Sequence, residues 1–356
     1  MNRMFESWRI NSLLLPNRFV RSATMDHFAE NGMVTETELD LYRDLALGEV
    51  GLIVSHGLCP SPDGWVSPGQ LCIDRDETIP SLAKLVDVVH KNGGKMAAQL
   101  MHGGWFSNPA VTGQSVVGPT AMVNPANGYT ARELAGDEVY GLVEVHVQAA
   151  RRAIEAGFDA VQLHGAHGWF LSTFLSPVTN QRRDEWGGSA AKRARSVRLI
   201  IEGIRKIAGP DYPVFIKLGL KDYHPKGQSA AEAVEIAMIL EAAGADAFEL
   251  SEGVEIERFN HVRQNAVQPY YLEECMEARR KLKAPVILVG GMRRLAEMEK
   301  VITDGLADAV SMCRPFIMDP FIVKKFREGA VDASACTSCN DCLQEMRRRH
   351  MRCTLV

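Results

Sequence analysis

The chain has 356 residues and no uncharged apolar run of the roughly 18–20 residues that a membrane helix needs. Its first residues, Met1-Asn2-Arg3-Met4-Phe5-Glu6, lack the apolar core of a secretory signal and put a glutamate where one would start. It has no excess of positive charge either. Lys plus Arg is 40 and Asp plus Glu is 44, a formal charge of −4, which does not build a nucleic-acid-binding face. No strand-like run leads into the G-x-G-x-x-G fingerprint of a doubly wound dinucleotide fold. These absences predict a cytoplasmic protein that works on small molecules, with no membrane and no nucleic-acid partner.

What is present is a globular composition, 46% hydrophobic and 24% charged. Short β-rich apolar runs recur at 19–24, 51–57, 95–100, 159–163, 214–218, 247–250, 285–289 and 309–312, mostly without polar alternation. Strands buried on both faces look like that, and parallel sheets bury both faces. Helical patterns follow almost every run. The one over 138–156 places Leu142, Val145, Ala149, Ala153 and Ala156 on one stripe, and Gly157 supplies a left-handed cap. The joints Ala156-Gly157-Phe158-Asp159-Ala160, Ala243-Gly244-Ala245-Asp246-Ala247 and Gly305-Leu306-Ala307-Asp308-Ala309 repeat one helix-to-strand turn. Eight such units predict an α/β fold, a (β/α)₈ TIM barrel over 1–330. An extended loop over 101–137 follows the third strand, and a Cys-rich tail over 331–356 packs on or beside the barrel.

Active sites of such barrels lie just beyond the C-terminal ends of the strands. There the fourth run ends in His164-Gly165-Ala166-His167-Gly168-Trp169. Two imidazoles three residues apart can aim two N–H donors at one electronegative atom; a buried, backbone-satisfied pair is the plainer alternative. Lys217 sits inside an apolar strand, where an unpaired charge is costly. A cofactor's anionic edge, a Schiff base or a buried ion pair would each explain it. Gly290-Gly291 after the seventh run and Cys313-Arg314 after the eighth suit a phosphate.

Several motifs in order make the chain resemble the old yellow enzyme family of FMN-dependent NADH:flavin oxidoreductases and ene-reductases. They include the stretch from Leu15 to Thr24, Gln99-Leu100-Met101-His102-Gly103-Gly104, the His164–Gly168 stretch, Phe174-Leu175-Ser176-Pro177, and the run from Asn180 to Ser189. The resemblance implies FMN, with NAD(P)H as transient reductant and often a homo-oligomer. It implies that Ala23, Thr24 and Gly57 meet the flavin through backbone and that Gln99 bonds its pyrimidine edge. Lys217 would stand near N1 and the C2 carbonyl, while Gly290, Gly291, Cys313 and Arg314 hold the phosphate end. His164 and His167 would bind the substrate oxygen. His27, Trp105 and Trp169 would line the substrate pocket, and Arg182, Asp184 and Arg193 would tie the loop after the fourth strand.

Three positions depart from the family pattern. Trp169 replaces its proton-donating Tyr, and an indole does not supply that proton; His27, His56, Tyr129 and His261 are the alternative donors. Met25 stands where relatives carry a Cys or Thr that tunes the flavin. Trp105 stands where many have Arg.

Cys336, Cys339, Cys342 and Cys353 form a C-x₂-C-x₂-C-x₁₀-C pattern. Such spacing suits a [4Fe–4S] cluster, zinc, or free thiols in a vestigial tail. It resembles the cluster segment of trimethylamine dehydrogenase and 2,4-dienoyl-CoA reductase. The main expectation is hydride transfer from NAD(P)H through FMN to an electron-poor alkene. The alternative is an iron–sulfur flavoenzyme passing electrons to a partner protein. A flavin-free lyase using Lys217 and a non-catalytic barrel remain further readings.

Overall fold

The computed structural model describes residues 2–255, 263–266 and 268–356. All eight runs are strands: β1 (Phe19–Arg21), β2 (Leu52–Leu58), β3 (Met96–Leu100), β4 (Ala160–Gly165), β5 (Val214–Gly219), β6 (Ala247–Ser251), β7 (Val286–Val289) and β8 (Ala309–Met312). They pair in parallel and close into a barrel in chain order, β8 against β1. The predicted first run is shortened. Ser22 still donates its backbone N–H to Met312 O at 2.9 Å, but Ala23 and Thr24 lie beyond the strand at the barrel mouth.

The repeated joint has a mechanical reason. Asp159, Asp246 and Asp308 each use a carboxylate oxygen to accept the backbone N–H that opens a neighbouring strand: Met96, Val214 and Val286, each at 2.8 Å. Each also returns its own N–H to the carbonyl of that same residue, at 2.9, 2.7 and 2.8 Å. Three aspartates thereby set the register of β3 on β4, β5 on β6 and β7 on β8. Gly157, Gly244 and Gly305, all at positive φ, turn the chain into these joints.

The helix before β4 runs Gly136–Glu155, starting earlier than predicted because Glu138 accepts the Ala135 N–H at 2.8 Å. Its buried stripe also differs. His146 is buried where Val145 is half-buried, and it donates Nδ1–H to Leu142 O at 2.8 Å. That bond satisfies one ring nitrogen, and burial lowers the ring's pKa to about 4, so it is a neutral imidazole that sits on the apolar face.

Inside the barrel, alternation does appear, in layers. The lower layer is apolar: Ala97, Ala160, Phe215, Ala247, Ile287 and Ala309 pack together. A hairpin of Trp8–Ile10 and Leu13–Leu15 plugs this end with Trp8, Ile10, Leu13 and Leu15. Two residues further along the strands the interior turns polar, with Gln99, Gln162, Lys217, Glu249 and Ser311. The predicted absence of polar alternation holds only for the lower layer.

Above the mouth, the 101–137 insertion folds three short strands (Val117–Gly118, Met122–Val123, Thr130–Glu133) into a small sheet. The tail, with its helix Asp341–Arg348, returns across the opening, where Met351 N–H bonds Asp26 O at 2.8 Å. Among the described residues there is no disulfide and no helix long and apolar enough to cross a membrane.

Candidate active site

A cavity of about 320 Å³ opens at the C-terminal ends of the strands. Of the residues singled out in the sequence, it is lined by Ala23, Thr24, Met25, His27, Gly57, Gln99, His164, His167, Trp169, Lys217, Gly290, Gly291, Cys313 and Arg314. They come from every part of the chain, because parallel strands all deliver their C-terminal ends to one mouth.

The floor is a buried polar network. Lys217 Nζ donates to Glu249 Oε1 at 3.0 Å and to Ser22 Oγ at 2.7 Å. Glu249 Oε1 also accepts from the Ser22 and Ser311 hydroxyls at 2.7 and 2.8 Å. Its Oε2 accepts from Gln162 Nε2 at 2.8 Å, and Gln162 Oε1 accepts from Gln99 Nε2 at 2.7 Å. Burial by itself would raise the Glu249 carboxyl. The Lys217 charge and the three other donors outweigh it and hold the carboxyl below its ordinary value, so it is ionised. Lys217 is thus both a cavity residue and half of a buried ion pair. Glu249 escaped the sequence reading because Phe248-Glu249-Leu250 carries no motif of its own.

One end of the cavity is built for an anion. Gly290 and Gly291 both have positive φ, 95° and 77°. A Cβ on Gly291 would fall 1.7 Å from Gln268 O, so only glycine fits. Arg314 donates to Asn340 Oδ1 at 2.7 Å, to Arg263 O at 2.9 Å and to the Tyr270 hydroxyl. Arg293, which the sequence did not single out, lines the same end and donates to Ala266 O at 3.2 Å and to the Ser338 hydroxyl. Two guanidinium groups beside a glycine turn suit a phosphate.

The upper wall carries the histidines. The His164 and His167 rings stand 5.1 Å apart and nearly perpendicular, at 81°. His167 is held in a left-handed turn, φ 64°, by its N–H to Glu252 O at 3.1 Å. Its Nε2 meets Ser251 Oγ at 2.7 Å, and Ser251 also lines the cavity. Trp169 lies 6.2 Å from the His164 ring as an aromatic wall. Burial lowers the pKa of His27, so it faces the cavity as a neutral ring.

Trp105 corrects an expectation. It does not line the cavity. Its indole N–H is taken by Gly168 O at 2.8 Å, and its ring packs with Val116, Ala131 and Val254 under the small sheet. It braces the His167-Gly168 turn from behind.

The four alternative proton donors fare unequally. His27 lines the cavity. His56 is buried away from it, with Nδ1 on Asp26 Oδ1 at 2.8 Å and Nε2 accepting the Leu71 N–H at 2.9 Å. Tyr129 lies on the exposed small sheet, and His261 is outside the described residues. The tyrosines that do line the cavity are Tyr270 and Tyr271. Tyr271 donates its hydroxyl to Glu252 Oε2 at 2.6 Å. Burial raises Glu252 to about 7, with Glu255 adding to the shift and Tyr271 and Arg263 opposing it. No motif links these residues, since Tyr271 and Glu252 are 19 positions apart.

Arg182, Asp184 and Arg193 sit outside the cavity. Arg182 donates to Asp184 and to Pro119 O at 3.1 Å, and Arg193 to Leu175 O at 2.7 Å.

The tail cysteines meet. Cys336, Cys339, Cys342 and Cys353 line one small pocket, and Cys342 lines the main cavity as well. Sulfurs around zinc, with Zn–S near 2.3 Å, lie about 3.8 Å apart. Among the described residues the three side chains whose ligand atoms gather within 4.8 Å are Asp26, Glu38 and His56, and no three cysteines do so. The sulfurs are set wider than a single ion needs.

Comparison with known proteins agrees with this geometry. The profile of the family described as NADH:flavin oxidoreductase / NADH oxidase matches residues 3–333. The 4,4'-dithiodibutanoate disulfide reductase of Rhodococcus erythropolis is 31% identical, over 96% of this chain and 92% of its own length. The NADH oxidase of Thermoanaerobacter brockii is 33% identical over 99% of this chain but 55% of its own length. A structure of 2-naphthoyl-CoA reductase with 2-naphthoyl-CoA superposes with a TM-score of 0.89 at 31% identity, over 95% of this chain and 54% of that one. The chain thus spans about half of two of these proteins and nearly all of the third.

Proposed function

The chain belongs to the NADH:flavin oxidoreductase / NADH oxidase family, and from that premise we propose that it reduces an electron-poor C=C bond conjugated to a carbonyl. It is an FMN-dependent oxidoreductase. Bound FMN would take two electrons from NAD(P)H and return them to the second substrate in the same cavity. One observation carries the reading: a single cavity joins the Lys217–Gln99 floor, the Gly290-Gly291, Arg293 and Arg314 end, and the His164–His167 wall.

The protein's own groups divide the work. Gly290, Gly291, Arg293 and Arg314 hold the phosphate. Lys217 stabilises negative charge at the pyrimidine edge, and Gln99 bonds it. Ala23, Thr24, Met25, Gly57 and Cys313 complete that pocket. His164 and His167 donate N–H bonds to the substrate carbonyl oxygen and polarise the conjugated bond. Ser251, by donating its hydroxyl to His167 Nε2, keeps the proton on Nδ1 for that purpose. With Glu252 protonated, its O–H turns to the Tyr271 oxygen and frees the phenolic proton, so Tyr271 supplies the proton that the substrate carbon takes up and the Glu252 carboxyl replaces it. The 2-naphthoyl group of the structural relative's ligand places its carbonyl beside unsaturated carbon in the same way.

The test is anaerobic oxidation of NADH or NADPH by the FMN-loaded protein with 2-cyclohexen-1-one. Saturated ketone formed mole for mole with oxidised nicotinamide supports the reading. Nicotinamide oxidation that leaves the enone untouched in air-free buffer overturns it.

A second reading rests on the tail. The shared pocket, with Cys342 common to both sites, fits a [4Fe–4S] cluster held by Cys336, Cys339, Cys342 and Cys353. Such a cluster supplies one-electron transfer, and an electron-accepting partner protein belongs to this reading alone. The family profile ends before the tail, at 333, whereas the match to the NADH oxidase takes in 99% of the chain. A reducing, cytoplasmic setting accords with both readings. A homo-oligomer is required by neither.

A further inference from the structure

Glu249 is an acceptor-only group at the centre of the cavity floor. An ionised carboxylate has no proton to donate, so every partner must turn a donor toward it. Gln162 must present Nε2–H to Glu249, and does so at 2.8 Å. Its other end is then an oxygen, and Gln99 must answer with Nε2–H, at 2.7 Å. The amide of Gln99 is thereby oriented from two residues away. Its Oε1 has no partner among the described residues, and Gln99 lines the cavity. The same carboxylate holds Lys217 Nζ at 3.0 Å, and Ser22 takes a second Lys217 N–H at 2.7 Å. Of the three ammonium protons one remains for a group in the cavity.

We infer that Glu249 is the positioning residue of the flavin floor: it fixes Gln99 to present an acceptor oxygen and Lys217 to present a partly compensated positive charge. This deepens the FMN reading and rests on it. An acceptor at Gln99 matches a ring N–H of the isoalloxazine. A cation at Lys217, moderated by a carboxylate beside it, sets how strongly negative charge on the reduced ring is stabilised. Glu249 and Gln162 do not line the cavity; they act through Lys217 and Gln99.

Two variants of the FMN-loaded protein separate this role from simple bracing. Glu249→Gln removes a negative charge from beside Lys217 and lets the amide chain turn. The midpoint potential of bound FMN rises by about 30 mV or more, a tenfold change in a two-electron equilibrium. A Glu249→Gln protein that holds FMN at the wild-type potential overturns the charge role. Gln162→Met leaves Glu249 and Lys217 paired and replaces no residue of the cavity lining, but cuts the relay to Gln99. FMN affinity falls about fivefold to tenfold, one hydrogen bond's worth, while the potential of the bound cofactor stays put. Unchanged affinity in Gln162→Met overturns the orienting role, and this arm stands even where Glu249→Gln does not fold. A wild-type protein that retains no FMN overturns the flavin reading itself, before either variant is compared.

Discussion

Lys217 Nζ and Glu249 Oε1 lie 3.0 Å apart inside the barrel, 4% and 0% exposed, and Lys217 lines the cavity. A pair this deep weighs on stability as well as on function. Lys217→Met leaves a carboxylate buried without its counter-ion and is expected to cost about 3–5 kcal/mol. The double variant Lys217→Met, Glu249→Leu removes both charges and recovers most of that. Urea unfolding of the wild type, Lys217→Met, Glu249→Leu and the double variant measures it; a double variant no more stable than Lys217→Met would contradict the pairing.

Tyr271 and Glu252 give the proposed chemistry a pH signature. Tyr271→Phe slows reoxidation of the reduced protein by 2-cyclohexen-1-one about 10²–10⁴-fold. It leaves reoxidation by benzoquinone, which needs no proton on carbon, near the wild-type rate. In the wild type the enone reaction weakens as pH rises through about 7, where Glu252 gives up the proton that restores Tyr271. Equal losses toward enone and quinone would make Tyr271 a structural residue only. Stopped-flow traces with both acceptors decide between these outcomes.

The tail makes a compositional prediction. Protein purified without oxygen carries iron and acid-labile sulfide in the ratio of a [4Fe–4S] cluster, and Cys339→Ser loses both while keeping FMN. Zinc in place of iron, or neither, would refute the electron-transfer reading and leave the alkene reading standing.

Glu38 ties stability to pH. Burial, and then the charge of Asp26, raise its carboxyl to about 8, while in the unfolded chain it titrates near 4.3. Between those values the folded form holds a proton that the unfolded form has lost, so stability falls as pH rises. Glu38→Gln cannot lose that proton, and its stability falls less between about pH 5 and 8. Melting temperatures across that range test it; parallel curves for the two proteins would contradict it.

The barrel was legible because each unit repeats a local pattern. Apolar runs mark the strands, and the glycine–aspartate joints mark where three of them begin. Many of the residues that line the cavity were legible as motifs at strand ends, from Gln99 to Arg314. Glu249 and Gln162 were not, since each is one polar residue in an apolar run and acquires meaning only when neighbouring strands bring it to Lys217 or Gln99. Tyr271 and Glu252 stand at opposite ends of the one connection that follows β6, 19 positions apart, so their pairing has no trace in local sequence. Trp105 misled because position after a motif suggested the cavity, whereas the free Gly168 carbonyl behind the turn captured its indole N–H. The early start of the Gly136–Glu155 helix came from a single glutamate cap, weaker than the periodicity that marks the helix itself.

The most direct measurement is the absorption spectrum of the protein reconstituted with FMN, desalted, and kept free of oxygen before and after NADH or NADPH is added. The account predicts flavin bands that stay with the protein through desalting and bleach when nicotinamide is added. A protein that emerges colourless, or whose flavin bands do not respond to either nicotinamide, would contradict it.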